Sequence, residues 1–313
     1  MLSMMINRDA PSSPWPRLQR GDIVRIVSPA SFPDETDVAA LQVELESWGL
    51  MVQRGAHVFD QWGYMAGRDL DRLNDLNAAF RDSRVRAIFA ALGGAGAYRI
   101  AEEIDFEAVR RDPKPLIGFS DISYLQMALW RECRLVTIHG AAVGKEATAS
   151  VRQLLMDDTP VTVTRDPQAY SAKIQVEGRA TGLLIGGNLS SITHMVGAGL
   201  PSLDGTILLL EDKRDMGLGR IDRQITQLKR AGALDNLAGL ALGLFSGFDD
   251  YEDRGWTLVD VLKDHLEPLG IPVLGGLKIG HNDIGADGRP DQTCVKLGAP
   301  ATIDTAAGTL TSG

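Results

Sequence analysis

The chain has 313 residues, 44% of them apolar and 23% charged, with a formal net charge of −9 at pH 7. That length suits two ordinary domains with buried cores, and acidic residues spread along the chain repel a phosphate backbone, which argues against nucleic acid as a partner. Cys133 and Cys294 belong to no Cys-x-x-Cys pair, so neither a disulfide framework nor a thiolate zinc site is indicated, and no segment approaches the roughly 20 apolar residues that span a bilayer.

Met1 to Gln19 holds Pro11, Pro14 and Pro16 and has no continuous apolar stretch like a signal-peptide core, so residues 1–20 are read as a flexible tail of a cytoplasmic protein. From residue 21 the chain alternates short apolar runs with amphipathic stretches, the pattern of an α/β fold with a parallel sheet covered by helices. Ile23 to Val27 is the first strand, stopping at Ser28-Pro29-Ala30-Ser31. Val38, Leu41, Leu45 and Trp48 fall near helical spacing, and a second helix is expected over 70–81. A strand over 85–92 runs into Gly93-Gly94-Ala95-Gly96, followed by a helix ending before Asp105. Pro115 to Phe119 reads as a short strand feeding a helix with Ile122, Leu125, Met127 and Leu129 on its apolar face, and the strand Leu135 to Ile138 ends at His139-Gly140.

Beyond Val151 the texture changes. Val161 to Thr164 and Lys173 to Val176 read as exposed or edge strands, which makes residues 166–178 the linker between a domain over 21–165 and a domain over 179–313. The second domain opens with the strand Leu183 to Ile185, then Gly186-Gly187-Asn188 and a helix near 190–196. The strand Thr206 to Leu210 ends in Glu211-Asp212, and Ile221, Ile225 and Leu228 mark a helix. Leu237 to Phe245 reads as a buried strand and Leu258 to Leu266 as a helix, with strands and turns after them.

Four places carry chemistry. Gly118-Phe119-Ser120-Asp121 joins a strand to a helix, where a tight turn presents a serine hydroxyl beside helix-opening N–H groups; Ser and Asp there are equally suited to capping the helix. Gly93-Gly94-Ala95-Gly96 lacks both the full Gly-x-Gly-x-x-Gly pattern and a Walker lysine. The glycine pair either offers an N–H to a developing oxyanion or simply supplies positive backbone angles. Glu211, after Ile207-Leu208-Leu209-Leu210, either has a partner or marks where the strand meets water. His281 lies in the loop Lys278-Ile279-Gly280-His281-Asn282, the kind of segment that carries functional side chains. His57, His139, His194 and His265 show no carboxylate spacing of a metal site, and a His-Glu-x-x-His helix is absent.

In order along the chain, Gly21-Asp22 with Val27-Ser28-Pro29-Ala30, then Gly118-Phe119-Ser120-Asp121, Gly186-Gly187-Asn188-Leu189, Leu208-Leu209-Leu210-Glu211-Asp212, Ile221-Asp222-Arg223 and Gly280-His281 resemble the motifs of the LD-carboxypeptidase (muramoyltetrapeptide carboxypeptidase) family. The resemblance runs from about Gly21 to the C-terminus. It implies a Rossmann-like N-terminal domain carrying Ser120 as nucleophile, and a C-terminal α/β domain with a mixed-sheet or barrel-like core. Loops of the latter would bring Glu211 and His281 to an interdomain cleft, His281 as base and Glu211 as the residue that orients it. It further implies an oxyanion site at the N–H of Asp121 and at the Gly93-Gly94 turn, no metal or organic cofactor, a homodimer, and a small peptide or muropeptide substrate. The family's usual reaction is release of the terminal D-alanine from a cytoplasmic murein tetrapeptide, and a related branch hydrolyses peptidyl or aminoacyl nucleotide antibiotics.

The chain departs from the wall-recycling pattern in three places: Leu92-Gly93-Gly94-Ala95-Gly96 for Arg-Gly-Gly-Tyr-Gly, Leu218-Gly219-Arg220 where Pro-Tyr often stands, and His139-Gly140-Ala141 for His-Gly-Pro. The expected triad is untouched, but the substrate is open. Arg99 and Arg220 are candidates to replace the missing arginine. The alternatives are a serine hydrolase or acyltransferase acting on an antibiotic conjugate or another amide, and a non-catalytic binding protein of the same fold.

Overall fold

The structure, a computed structural model, describes residues 15–282 and 292–313. The apolar runs of the first half lie side by side as β1 (Ile23–Val27), β2 (Met51–Arg54), β3 (Val85–Ala90), β4 (Leu116–Gly118) and β5 (Thr137–His139), all parallel, in the order β5-β4-β3-β1-β2. Parallel neighbours need long crossovers. These carry α1 (Glu35–Ser47), α2 (Asp69–Arg81), α3 (Ala97–Ile100) with α4 (Phe106–Arg111), and α5 (Ser123–Cys133). Val24, Ile26, Ile88, Phe89 and Leu116 are buried, because helices cover such a sheet and its strands read as continuous apolar runs. β2 is the exception: a short edge strand with Met51 and Arg54 exposed, whose sequence carries no apolar run.

The second half forms a larger mixed sheet, curled into a half-barrel. After α6 (Lys145–Arg152) come β6 (Val161–Thr164), β7 (Gln175–Val176), β8 (Arg179–Asn188), α7 (Leu189–His194), β9 (Ile207–Lys213), α8 (Leu218–Arg230) and β10 (Gly239–Ser246). β11 (Glu252–Asp253) and β12 (Trp256–Thr257) make a separate hairpin. It leads into α9 (Leu258–Leu266), which opens on a capping box between Thr257 and Asp260. β13 (Val273–Leu274), β14 (Val295–Leu297), β15 (Pro300–Asp304) and β16 (Thr309–Ser312) follow. The order is β6-β16-β15-β8-β9-β10-β13-β7, with β8, β9, β10 and β13 parallel and the flanking strands antiparallel. β6 and β7 are its two edges, as expected, although β7 keeps only Gln175–Val176 of the expected 173–176, since a short turn takes Tyr170–Lys173.

Sheet membership does not follow a single division at 166–178. β6, ahead of that segment, belongs to the second sheet, and β14, far beyond it, pairs antiparallel with β5 in the first. The tail also differs from expectation. Trp15 and Leu18 are buried; the Trp15 indole N–H donates to the Val136 carbonyl at 3.0 Å and the Leu18 N–H to the Leu155 carbonyl at 2.8 Å. The ring and the isobutyl group hold residues 15–20 against the fold, and the rest of the expected tail, 1–14, lies outside the described residues. Among the described residues no helix is long and apolar enough to cross a membrane.

Candidate active site

Ser120 follows β4 with φ of 64°, a left-handed conformation that costs free energy for a residue with a Cβ and gathers at functional turns. A single turn over Ser120–Ile122 leads into α5. The capping alternative does not describe it: the residue preceding α5 is Ile122, and no capping side-chain bond is made there. The buried Asp121 carboxylate instead accepts from the Ala97 N–H at 2.7 Å. Burial pushes Asp121 up to about 6, against the pull of the Ala97 and Gly96 N–H groups and the Arg72 charge.

That bond ties the Gly93–Gly96 turn to the serine. The turn is also held by Ser31, whose N–H donates to the Gly93 carbonyl at 3.0 Å and whose Oγ accepts from the Ala95 N–H at 3.1 Å. A Cβ on Gly93 would stand 2.8 Å from the Ser120 Cβ, so the backbone approaches the serine as closely as only glycine allows.

Glu211 lies within β9 and not beyond its end. Flanked by β8 and β10, it is completely buried and its neighbour Asp212 nearly so, so the reading of a strand end meeting water is set aside. Its Oε2 accepts the His281 backbone N–H at 2.9 Å and lies 2.6 Å from His281 Nδ1. On the far side of the ring, His281 Nε2 is 3.1 Å from Ser120 Oγ. Gly280, at φ of 90°, permits this approach, since a Cβ there would fall 2.3 Å from Glu211 Oε2. The serine thus comes from the first sheet, the glutamate from the second, and the histidine from the loop after β13.

Burial alone would raise Glu211, but the charge of His281 and its hydrogen bonds outweigh it and hold the carboxyl below its usual range. Burial likewise disfavours charge on His281, yet Glu211, by charge and hydrogen bond, and Asp212 hold the imidazole above its ordinary value.

Two parts of the surroundings stand in or beside the family's motif blocks without a local sign of their place at the site. His139, at the end of β5, is fully buried with Nε2 3.7 Å from Glu211 Oε1; nothing in the sequence near it says that β5 ends opposite β9. Asp212 gathers the Ser190 hydroxyl at 2.9 Å, the Lys213 N–H at 2.7 Å, the Asn188 amide at 3.3 Å and Arg220 at 3.3 Å. Arg220 also donates to Ser190 Oγ and pairs with Asp215 at 3.0 Å. Arg99 is engaged at Asp69, with contacts of 2.8 and 2.6 Å. Leu92 stands 43% exposed near the Gly93 turn.

Although the sequence around His57 shows no metal-site spacing, the fold brings Asp60 and Asp71 beside it, all three ligand atoms lying within 4.8 Å of one another. His57 Nδ1 is 2.8 Å from Asp60 Oδ2, and that bond raises the imidazole above its ordinary value. The group joins the loop after β2, with His57 and Asp60, to the first turn of α2, with Asp71, so its members are too far apart in the chain for a local spacing rule.

Comparison with known proteins agrees with this architecture. A family model described as the LD-carboxypeptidase N-terminal domain matches residues 24–140, and one described as the LD-carboxypeptidase C-terminal domain matches residues 181–303. A probable murein peptide carboxypeptidase of Bacillus subtilis (strain 168) is 36% identical over 300 residues, covering 92% of this chain and 91% of its own. The murein tetrapeptide carboxypeptidase of Pseudomonas aeruginosa is 30% identical over 271 residues, covering 82% and 87%. The crystal structure of an MccF-like protein from Bacillus anthracis str. Ames has the same fold, with a TM-score of 0.83 over 95% of this chain and 98% of that one at 23% identity. With its two halves matched in order by the family's two domains, and relatives aligned over nearly its whole length, the chain belongs to the LD-carboxypeptidase family.

Proposed function

We propose that this carboxypeptidase is of the serine type and releases the terminal D-alanine of a cytoplasmic murein tetrapeptide, with Ser120 as nucleophile, His281 as base and Glu211 as the residue that orients the base. The observation that carries the reading is the continuous series Ser120 Oγ, His281 Nε2 and Nδ1, Glu211 Oε2, with contacts of 3.1 and 2.6 Å. The names and extent of the murein carboxypeptidase relatives support the substrate class.

Glu211 holds the proton of neutral His281 on Nδ1, leaving the Nε2 lone pair toward Ser120. As Ser120 Oγ attacks the carbonyl of the L,D amide bond, its proton passes to Nε2, and Glu211 stabilises the imidazolium. Backbone N–H groups at Asp121 and the Gly93-Gly94 turn receive the oxyanion. Collapse breaks the C–N bond, His281 protonates the departing amine of D-alanine, and water activated by the same imidazole releases the acyl group from the serine.

The test is incubation with murein tetrapeptides and aminoacyl nucleotides, read by mass spectrometry. Loss of a terminal alanine from the tetrapeptide, abolished in Ser120→Ala, is the expected result; turnover that survives Ser120→Ala overturns the assignment. A second reading, hydrolysis of an aminoacyl nucleotide, draws on Leu92: its exposed side chain offers no charge, and Arg99 and Arg220 are engaged elsewhere. Cleavage of the nucleotide conjugate alone would establish it.

A further inference from the structure

We propose that His139 is a positioning residue that holds the second oxygen of Glu211, so that the carboxylate turns its other oxygen wholly to His281. The inference rests on the reading of Ser120, His281 and Glu211 as the catalytic unit.

An ionised carboxylate is an acceptor with two oxygens, and both call for donors when water is excluded. Glu211 gives Oε2 to His281 twice, through the ring and the backbone N–H. Its Oε1 is buried and has no hydrogen-bond partner among the described residues. Facing it, 3.7 Å away, is His139 Nε2, and both ring nitrogens of His139 are likewise buried without a partner. Native interiors seldom leave such groups unpaired. In the Nε2–H tautomer the ring nitrogen is a donor opposite this acceptor, and a movement of about 0.7 Å brings them to the usual N–H···O length of about 3.0 Å.

The surroundings are built for that closure. His139 is anchored in β5 between Gly118 of β4 and Val295 of β14, whereas Glu211 is anchored in β9 beside Asn188 of β8. The contact therefore joins the two sheets. At Gly187, with φ of 133°, a Cβ would stand 3.1 Å from His139 Cε1 and 2.7 Å from Ser123 Oγ, so only glycine lets β8 close over the imidazole. Phe119 packs its ring against both imidazoles, 6.1 Å from His139 and 5.1 Å from His281 between centroids.

The charge state fits the role. The ionisable groups acting on His139 are Glu211 of β9 and His281 of the loop after β13, and burial outweighs the attraction of Glu211, taking the imidazole down to about 4. His139 is therefore a neutral donor at working pH. A cation in its place would cancel the charge by which Glu211 supports the imidazolium of His281; a neutral N–H fixes the carboxylate's direction and leaves that charge in force.

The first measurement uses the unaltered protein, labelled with 15N in its histidines. NMR is expected to show His139 neutral with its proton on Nε2, and that signal should move in Glu211→Gln. A proton on Nδ1 overturns the proposal. The second compares His139→Phe with His139→Asn, whose amide keeps a donor. His139→Phe is expected to lower kcat roughly 10- to 100-fold, the scale of losing an orienting partner behind a functional ligand, with KM nearly unchanged. The acid limb of the pH profile should also move upward, because a carboxylate relieved of one donor binds the His281 proton more tightly. His139→Asn should recover part of both effects. A His139→Phe enzyme with the parent's kcat and pH profile overturns the proposal whatever its melting temperature. Turnover that persists in Ser120→Ala, by contrast, removes the catalytic reading while leaving the tautomer of His139 as a separate fact.

Discussion

Between Ser120 Oγ and Glu211 Oε2 stands one imidazole, and every chemical expectation for the site depends on which of its nitrogens holds the proton. Glu211→Gln keeps the volume but offers an amide that is as ready to donate as to accept, so the Nδ1–H tautomer loses its support. The expected loss in kcat/KM is large, up to roughly 10⁴-fold, and near-normal activity would place the orienting acid elsewhere. Ser120→Ala and His281→Ala should each reduce kcat by a similarly large factor, with the double variant little worse than either, because members of one unit do not add. A double variant far below both singles speaks against a shared unit. Because Glu211 and Asp212 hold His281 above the ordinary imidazole value, activity should rise with pH through an apparent pKa above about 6.5, one that belongs to the coupled pair.

The same shifts make the pair a stability element with a definite window. Glu211 is lowered on folding, so its contribution is present above the unfolded carboxylate value and is lost as pH falls through the folded one. His281 is raised, so its contribution is present below the unfolded imidazole value and is lost as pH rises through the folded one. The pair therefore contributes most between about pH 4.5 and 6.5.

At the scale of elements, the Asp121 carboxylate fastens the start of α3 to the serine turn, and it does so at a cost that depends on pH. Its folded pKa, about 6, lies above the ordinary aspartate value of 3.8, so between those values the folded state binds the extra proton and stability falls as pH rises. Asp121→Asn keeps an oxygen for the Ala97 N–H without the charge. Relative to the parent, the variant should gain stability from pH 4 to pH 7 by on the order of 1–3 kcal/mol, read from urea midpoints at each pH. A difference that stays constant over that range would show that the carboxyl titrates as if in water.

Element by element, the strands buried on both faces and the helices with a regular apolar stripe were legible: Ile23 to Val27, Leu258 to Leu266 and the edge strand Val161 to Thr164 stand where their patterns place them. Where the structure departs from the sequence pattern, the cause is physical. β2 carries no strand signal in the sequence, because an edge strand covered on one side needs no apolar run. β8 and β9 continue through Gly186-Gly187 and Glu211-Asp212, which local rules read as stops; pairing on both sides supplies the backbone bonds that override them. Ser120, Glu211 and His281 were legible as an ordered series of motifs. His139, Asn188 and Asp212 stand within or beside the same family blocks, but nothing local gives them a place at the site, because what makes them its neighbours is the meeting of two sheets.

Substrate choice belongs to the whole molecule, since the serine and the Gly93 turn come from one sheet while Glu211, Asp212 and Arg220 come from the other. Where wall-recycling relatives place an arginine and a tyrosine about the Gly-Gly turn, this chain has Leu92 and Ala95. A guanidinium there would meet a terminal carboxylate through two parallel charge-assisted hydrogen bonds; a leucine side chain 43% exposed meets it with none. Arg99 and Arg220, the candidates to compensate, are engaged, Arg99 at Asp69 and Arg220 at Asp212, Asp215 and Ser190. Drawing Arg220 away would leave the buried Asp212 without its cation, a severe cost, and Arg99 holds both oxygens of Asp69. The enzyme is therefore expected to discriminate poorly between a tetrapeptide ending in free D-alanine and the same peptide amidated at that terminus, with kcat/KM values within about tenfold of each other. Leu92→Arg with Ala95→Tyr should restore preference for the free acid by roughly 10- to 100-fold, since a hydrogen bond to a charged group contributes about 1.5–3 kcal/mol and each 1.4 kcal/mol is about tenfold. Both ratios come from one pair of substrates assayed with two proteins. A strong preference for the free acid in the unaltered enzyme would show that another part of the cleft binds the carboxylate, and would make Leu92 a packing residue beneath the turn.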